Sequence, residues 1–300
     1  METVLRSSSV ISSSPREPTV VTTVAELREH VRSARQQGKS IGLVPTMGAL
    51  HAGHVSLIEA ARRDCGYVVV TVFVNPTQFG PKEDLQKYPR PWEDDLAKCR
   101  DAGVDLIFRP DVAEVYPKPF FTVVDVTGIS EVLEGAHRPG HFQGVATVVL
   151  KLFNMAQPDI AYFGQKDFQQ QLLIRRMTKE LDLPLEIRTC PTIREPDGLA
   201  LSSRNVYLSP EERRSALALS RCLRHAETRL KSGEKDLAAI RAEMKKILSE
   251  TPHVVPDYAT LVDPETIAEL STPQREQVAV VAAKVGTTRL IDNLPISLPQ

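Results

Sequence analysis

What the sequence lacks narrows it first. Four cysteines, Cys65, Cys99, Cys190 and Cys222, are scattered over 300 residues with no C-x-x-C pair. That spacing excludes a zinc ribbon and a disulfide-stapled framework and suits a reducing cytoplasm. The longest apolar run, 68–74, is far short of the roughly 20 residues that span a bilayer. Neither sign of charge prevails: 37 basic side chains stand against 38 acidic ones, leaving no excess with which to coat a nucleic-acid backbone. No membrane and no nucleic acid are therefore expected as partners, and a soluble protein acting on small molecules is. The N-terminus also lacks an apolar stretch long enough for a signal peptide. It carries six serines between residues 7 and 14. Glu2 and Glu17 sit poorly with an acid-poor transit peptide, whereas Arg6 and Arg16 suit one. A disordered Ser-rich tail over 1–18 is the expectation.

What is present is a regular alternation of periods. Helical spacing over 24–37 stops at Gly38, a buried strand over 41–44 follows, and a helix over 53–63 comes next. The run 68–74 reads as a parallel strand covered on both faces. Helix 92–102, strand 105–108, helix 145–155, strand 160–163, helix 168–181 and strand 185–188 continue the pattern. Such alternation predicts an α/β fold, a doubly wound, mostly parallel Rossmann-like sheet. After Pro191 the texture changes. Ser209-Pro210-Glu211-Glu212 is a strong helix start, helices over 210–231 and 236–249 follow, and strands near 258–262, 278–283 and 288–293 close the chain. A smaller C-terminal α+β domain over 193–300 is expected beside a nucleotide-binding domain over 19–192.

Gly38-Lys39-Ser40 imitates the end of a P-loop, but the earlier glycine would fall at Ser33 and the tripeptide precedes a strand instead of opening a helix. The informative segment is PTMGALHAGH, 45–54, which leaves the carboxyl end of a strand and enters a helix. In an open parallel sheet ligands bind at that edge. Gly48 and Gly53 permit close backbone approach, and the N–H groups opening the helix attract phosphate. His51 and His54 add donors for a phosphate or for developing charge. A metal pair and an ordinary polar helix start are the other two readings of these histidines. The strand–turn–helix context and the absence of an acid inside the motif favour phosphate or nucleotide.

Further clusters follow predicted strands or lie beyond them. Asn75 and Gln78 offer uncharged amides for a hydroxyl or carboxylate, or else form a turn set by Pro76 and Gly80. Glu93-Asp94-Asp95 is either a solvated helix start or a site for phosphate-bound Mg²⁺. Gly164-Gln165-Lys166-Asp167 places a lysine for phosphate oxygens, with Gln169 and Gln170 in the next helical turn. Leu201-Ser202-Ser203-Arg204 sets two hydroxyls beside a guanidinium that can grip phosphate by a fork. With no nucleophile–base pair in view, this is a kit for displacement on a polyphosphate, where positioning and charge neutralisation supply most of the catalysis.

At these residues the chain resembles the pantoate–β-alanine ligases of the HxGH nucleotidyltransferase superfamily, from about Thr19 to Pro295. The markers stand in order: PTMGALHAGH (45–54), FVNPTQFG (73–80), DLQKYPRPWEDDL (84–96), HRPGHFQGV (137–145), FGQKDFQQ (163–170), DGLALSSRN (197–205) and GTTRLIDN (286–293). The resemblance implies condensation of (R)-pantoate with β-alanine through a pantoyl adenylate, releasing pyrophosphate and then AMP, with ATP as co-substrate and Mg²⁺ as cofactor. It implies that Met47, Gly48, Ala49, Leu50, His51, Ala52, Gly53 and His54 line the ATP site, with His54 as proton donor. Gly164, Gln165, Lys166, Asp167, Ile193, Leu201, Ser202, Ser203 and Arg204 match further nucleotide contacts, His51, His54, Lys166 and Arg204 being the catalytic set. Gln78 and Gln170 match pantoate positions, Gln78 also approaching β-alanine; Asn75 and His141 match pocket positions, and Asp94 and Asp95 an acidic pair near Mg²⁺. A cytoplasmic homodimer is implied as well, and the place of Ser202 to Arg204 on the second domain leads to the expectation that residues 193–300 close over the ATP site. Many relatives carry Glu where Gln165 stands, and the missing charge leaves Lys166 without an adjacent acid on that side. The rival readings are another HxGH nucleotidyltransferase, a class I aminoacyl-tRNA synthetase and a catalytically silent nucleotide-binding protein.

Overall fold

The periods resolve into two sheets. In chain order the first part contains β1 (Thr19–Val21), α1 (Val24–Gln36), β2 (Ile41–Thr46), α2 (Ala52–Asp64), β3 (Tyr67–Val72), α3 (Trp92–Asp101) and β4 (Leu106–Phe108). It continues with the short α4 (Val112–Val115) and α5 (Glu134–His137), then α6 (His141–Ala156), β5 (Ile160–Gly164), α7 (Phe168–Glu180) and β6 (Glu186–Cys190). The second part contains α8 (Pro210–Ser215), α9 (Leu217–Lys231), α10 (Leu237–Ser249), β7 (Val254–Val262), β8 (Glu276–Val285) and β9 (Thr288–Ser297). The computed structural model describes residues 17–81 and 83–299. The serine-rich segment expected to be a disordered tail lies, up to residue 16, outside the described residues.

Local chemistry accounts for the boundaries. Thr23 and Glu26 close a capping box at the start of α1, and Ser209 with Glu212 closes another at α8, with Pro210 at the first helical position. The single helix expected over 210–231 is in fact two, α8 and α9, which meet at Ala216. Strand β1 and the short helices between β4 and α6 have no signature in the hydrophobic period, because each is only three or four residues long.

Six strands form an all-parallel sheet in the order β1-β4-β3-β2-β5-β6, and β7-β8-β9 form an antiparallel one. The strand order reverses between β2 and β5, so the crevice outside their carboxyl ends is the place where a doubly wound sheet binds ligands. Strand β2 pairs β3 in register from Ile41↔Tyr67 to Thr46↔Val72, which brings the loops after β2 and β3 to the same edge. One face of the sheet packs Leu27, Leu43, Val149 and Leu172 into a core with α1, α6 and α7. The other packs Ile58, Val70 and Ile107 against α2 and α3.

The antiparallel sheet is buried on both sides. Along β8, Ala279, Val281 and Ala283 join the core of α9 and α10, while Val278 and Val280 join the same core as Phe163 and Leu172 of the parallel sheet. The two parts therefore share apolar packing, which resists relative rotation in a way that a polar inter-domain contact does not.

Candidate active site

The loop from β2 to α2 is built from its own polar groups. Thr46 Oγ1 donates to the Thr71 carbonyl at 2.6 Å and accepts from the Gly48 N–H at 3.2 Å. Gly48 (φ +81°) and Ala49 (φ +52°) both take left-handed conformations, costing the alanine about 1 kcal/mol. Their turn points two successive amides inward: Ala49 N–H donates to Asp95 Oδ2 at 2.8 Å and Leu50 N–H to Asp95 Oδ1 at 2.6 Å. Ala49 and Leu50 thus spend their amides on a carboxylate of the protein, where phosphate was expected, and the Leu50 side chain is core.

His51 caps α2. Its Nδ1 accepts from Gly53 N–H at 3.1 Å, and His54 Nδ1 accepts from His51 N–H at 3.3 Å, making a capping box from two imidazoles. A Cβ on Gly53 would sit 2.8 Å from His51 Cε1, so only glycine lets the ring fold back over the helix start. Two of the opening N–H groups, those of Gly53 and His54, are already bonded to His51, which removes them as phosphate donors. The rings provide the donors instead. With both Nδ1 atoms accepting, each neutral ring carries its proton on Nε2. Burial, reinforced by the Lys166 charge, lowers His51 to about 4; burial, then the charges of His51 and Lys166, lowers His54 to about 3. Both are neutral at physiological pH, and each ring keeps an Nε2–H available to donate.

The Asn75–Gln78 cluster has a different internal logic from the one expected. Asn75 is buried, and its amide is fully engaged: Nδ2 donates to Gln78 Oε1 and to the Gly144 carbonyl, both at 3.1 Å, and Oδ1 accepts from Thr77 and Tyr116. It orients Gln78 and presents nothing to a ligand. Gln78 Nε2 donates to Met47 Sδ at 3.0 Å, so it faces the β2–α2 loop. His141 likewise is no pocket residue. It is buried, with Nδ1 on the Gln78 carbonyl at 2.9 Å and Nε2 on Arg138 Nη1 at 3.0 Å. Burial first and the Arg138 charge second lower it to about 4, so the ring is neutral, and its partners, an accepting carbonyl and a donating guanidinium, make Nδ1 the donor and Nε2 the acceptor. Gly144, in the HFQGV segment, lets α6 approach this turn, because a Cβ there would lie 2.5 Å from the Thr77 carbonyl oxygen.

At the end of β5, Gln165 and Lys166 are held by their backbones. Asn293 of β9 donates to the Gln165 carbonyl at 2.9 Å and to the Lys166 carbonyl at 2.8 Å, and its Oδ1 accepts from Gln165 Nε2 at 3.1 Å. Among the described residues the Lys166 ammonium and the Gln170 amide have no hydrogen-bonding partner, and the Asp167 carboxylate leaves α7 without a side-chain cap. Gln169, by contrast, is structural, bonded to the Ile129 and Val132 carbonyls.

The segment from the second part arrives as a 3-10 turn at Ser203–Tyr207, capped by Ser202, whose Oγ accepts from Arg204 N–H. Leu201 N–H donates to the Ile193 carbonyl at 3.0 Å, and the Ser203 hydroxyl lies 3.5 Å from that of Tyr88. Arg204 makes two 3.1 Å bonds to Asp84. Burial works against this carboxylate, but the guanidinium outweighs it and holds Asp84 below its ordinary value.

These elements enclose a cleft of about 580 Å³ whose lining includes Asp84, Arg138, Lys166, Asp167, Ser202 and Arg204. His51, His54 and Gln78 are outside that lining, set back under the β2 edge. Arg138 is held by Glu83 at 2.8 and 2.6 Å. Arg289 of β9 forks onto buried Glu134 with two 2.7 Å bonds and reaches Asp257 at 2.6 Å. Asp84, Arg138, Glu134, Arg289 and Asn293 escape sequence reasoning, although each lies in or beside a quoted segment, because their partners are distant in the chain. The acidic pair does not fit a magnesium site. Asp94 is exposed, Asp95 is buried with both oxygens on backbone amides, and the described residues contain no group of three His, Cys, Asp or Glu side chains arranged to hold a metal.

Known proteins resemble the chain in sequence and fold. The sequence profile of the family described as Pantoate-beta-alanine ligase matches residues 19–295. The pantothenate synthetase of Moorella thermoacetica is 52% identical over 276 residues, covering 92% of this chain and 98% of that protein. That of Roseiflexus sp. is 54% identical over 274 residues, covering 91% and 98%. The solved pantothenate synthetase of Thermus thermophilus matches with a TM-score of 0.88 at 49% identity, covering 92% of this chain and 98% of that one. The pantoate-beta-alanine ligase of Francisella tularensis, solved with beta-gamma ATP and beta-alanine, matches with a TM-score of 0.77 at 33% identity, covering 92% and 97%. A match that runs from β1 into β9, at about half identity over more than nine-tenths of the chain, means that the chain belongs to the pantoate–β-alanine ligase family.

Proposed function

We propose that this ligase condenses (R)-pantoate with β-alanine at the cleft in two displacements. A pantoate carboxylate oxygen attacks the α-phosphorus of ATP; the bond to the β-phosphate oxygen breaks and pyrophosphate leaves. The β-alanine amine then attacks the acyl carbon of the adenylate, the C–O bond to AMP breaks, and the nitrogen loses a proton. The observation that carries this reading is the Lys166 ammonium, free of partners among the described residues, whose charge acts on the two neutral imidazoles of His51 and His54. A cation and two N–H donors beside a switch-point crevice suit the charge that grows on phosphate oxygens in the first displacement.

In this scheme His51, His54 and Lys166 contact the phosphates, with His54 Nε2–H as the donor at the transferring group. Met47, Gly48, Gly53 and Ala52 form the floor beneath them, and Gly164, Asp167, Ile193 and Leu201 flank the nucleoside. Gln78 and Gln170 hold pantoate, Gln78 with its second amide hydrogen. Arg204, Ser202 and Ser203 approach from the second part, Arg204 by exchanging Asp84 for phosphate. Because the two parts share a core, closure is assigned to the 202–207 segment and not to rotation of residues 193–300 as a block; the proposed boundary stays at 192/193. Magnesium belongs here to the nucleotide, not to a protein-held site. A cytoplasmic setting agrees with four free, buried cysteines, and the homodimer implied by the resemblance is carried forward.

The test is pyrophosphate release from ATP with pantoate alone, followed by amide formation when β-alanine is added. Release without amide would transfer the chain to another nucleotidyltransferase chemistry, and silence in both steps would leave a nucleotide-binding protein.

A further inference from the structure

The β2–α2 loop carries the proposed phosphate donors, yet its internal contacts through Thr46, His51 and His54 leave the Ala49 and Leu50 amides to be satisfied from elsewhere in the fold. Gly48 and Ala49 are successive left-handed residues, a conformation that turns consecutive N–H groups toward one point and makes an anion-binding concavity. In this chain that concavity is filled from α3, by the carboxylate of Asp95 at 2.8 Å from Ala49 N and 2.6 Å from Leu50 N. The side chain is 2% exposed, so water does not compete for it. The fit is close on the other side as well: a Cβ on Gly48 would lie 3.0 Å from Asp95 Oδ2 and 3.1 Å from Val72 Cγ1. One residue beyond this pair stands His51, whose ring and backbone build the imidazole capping box.

We infer that Asp95 is a positioning residue of the nucleotide site: its carboxylate fixes the Ala49 and Leu50 amides and thereby sets where His51 and His54 present their Nε2–H groups. This rests on the reading of that site given above. It replaces the metal role for this residue, since both carboxylate oxygens are already held by backbone amides of the loop. An asparagine cannot substitute. Its single oxygen accepts one amide, and its NH₂ is set against the other, donor against donor. The loop is then free to leave its left-handed geometry, and the imidazoles move with it.

The experiment compares wild type with Asp95→Asn and, approaching the same contact from the loop, Gly48→Ala. The expected result is a fall in kcat/KM for ATP on the order of 10- to 100-fold, the scale for losing a hydrogen bond to a buried charge, with KM for β-alanine changed less than about 3-fold. Emission of Trp92, the sole tryptophan and the first residue of α3, should stay at its wild-type maximum, showing that the helix remains docked. The Mg²⁺ concentration for half-maximal rate at saturating ATP should be unchanged. Equal losses toward ATP and β-alanine, a raised Mg²⁺ requirement, or kcat/KM for ATP within about 3-fold of wild type in both variants would overturn the inference. Should wild type release no pyrophosphate, the proposed function fails. The inference is then read from equilibrium binding of α,β-methylene ATP: weaker binding in the variants upholds it, while equal binding, or none by wild type, overturns it. If Asp95→Asn does not fold, Gly48→Ala carries the same comparison alone.

Discussion

Replacing His54 separates two jobs that one imidazole performs. Nδ1 accepts from the His51 N–H at 3.3 Å and completes the cap of α2; Nε2–H is the proposed donor to the transferring phosphoryl. Asparagine reproduces the acceptor near Nδ1 and lacks the reach of Nε2, whereas glutamine reaches that far. His54→Asn should therefore keep the capping contact and its stability, and yet lower single-turnover pyrophosphate release about 10²–10³-fold, or about 2.7–4 kcal/mol, the scale for one transition-state donor. His54→Gln should recover part of that rate. His54→Ala should lose the rate and, in addition, about 1 kcal/mol of stability from the missing cap. Rapid-quench measurement of pyrophosphate, paired with thermal melts, reads both quantities. The pH dependence sharpens the claim. With His54 lowered to about 3, about one ring in a thousand is doubly protonated near pH 6, so kcat/KM should show no acid limb from this group down to about pH 5. Stability should behave oppositely. A folded value below the unfolded 6.5 means that the unfolded chain takes up the proton first, so the contribution is complete above about pH 6.5 and is lost on acidification, at up to about 1.4 kcal/mol per pH unit. His54→Asn should flatten that slope. Pyrophosphate release by His54→Asn within about 3-fold of wild type would refute the donor role on this scale. An acid limb near pH 6.5 that vanishes in the variant would put the imidazolium, not the neutral ring, in the reaction.

Two further outcomes follow from the contacts between the parts. Arg289→Met strands the buried Glu134 carboxylate with only the Tyr258 hydroxyl, at 2.8 Å, and should cost about 3 kcal/mol, a fall in Tm of roughly 6–12 °C. Burial pushes the Glu134 carboxyl up, but Arg289 outweighs it and holds the folded value low; the wild-type benefit is therefore full above the ordinary glutamate range and lost in acid, and the gap in Tm should narrow as the pH falls through about 4.5 and below. A gap that widens would refute the assignment. Gln165→Glu should lower Tm by about 2 °C, equivalent to about 1 kcal/mol, because Asn293 cannot turn its amide to meet a carboxylate without abandoning two carbonyls; a raised Tm would contradict that orientation.

The parallel sheet was legible because its strands are continuous apolar runs joined by amphipathic helices, so period and order sufficed. The run containing Val68–Val70 reads as a strand buried on both faces, and all three residues are fully buried. Strand β1 was not legible. Its Val20 is 40% exposed, and it is held by pairing to Leu106–Phe108, a long-range contact that leaves no local pattern. The shared core was hidden for a related reason. The β8 sequence VAVVAA is apolar without alternation, which shows that both faces are covered but not by what. Only the fold assigns Val278 and Val280 to one core and Ala279 and Val281 to the other.

The candidate site divides along the same line. Placements that depend on a residue's own segment were readable: His51 and His54 three apart at a helix start, Lys166 after a strand, Ser202 to Arg204 in one turn. What sequence could not show is which polar groups are spent. Asn75, Asp95, His141 and Arg204 each have the chemistry to meet a ligand, and each finds its partner tens of residues away: Gly144, the Ala49 and Leu50 amides, the Gln78 carbonyl and Asp84. A buried polar group must be paired, so a polar residue beside a site is more often a brace than a contact. The groups without partners among the described residues, Lys166 and Gln170, are for that reason the stronger candidates for substrate. The adjacent acids Glu83 and Asp84 make the same point in reverse. Side by side in the sequence they look like solvated charge, and in the fold each holds an arginine of the cleft, Arg138 and Arg204. At the cleft, these carboxylates occupy guanidinium groups that a triphosphate would otherwise meet first, and the Lys166 ammonium is left to meet it.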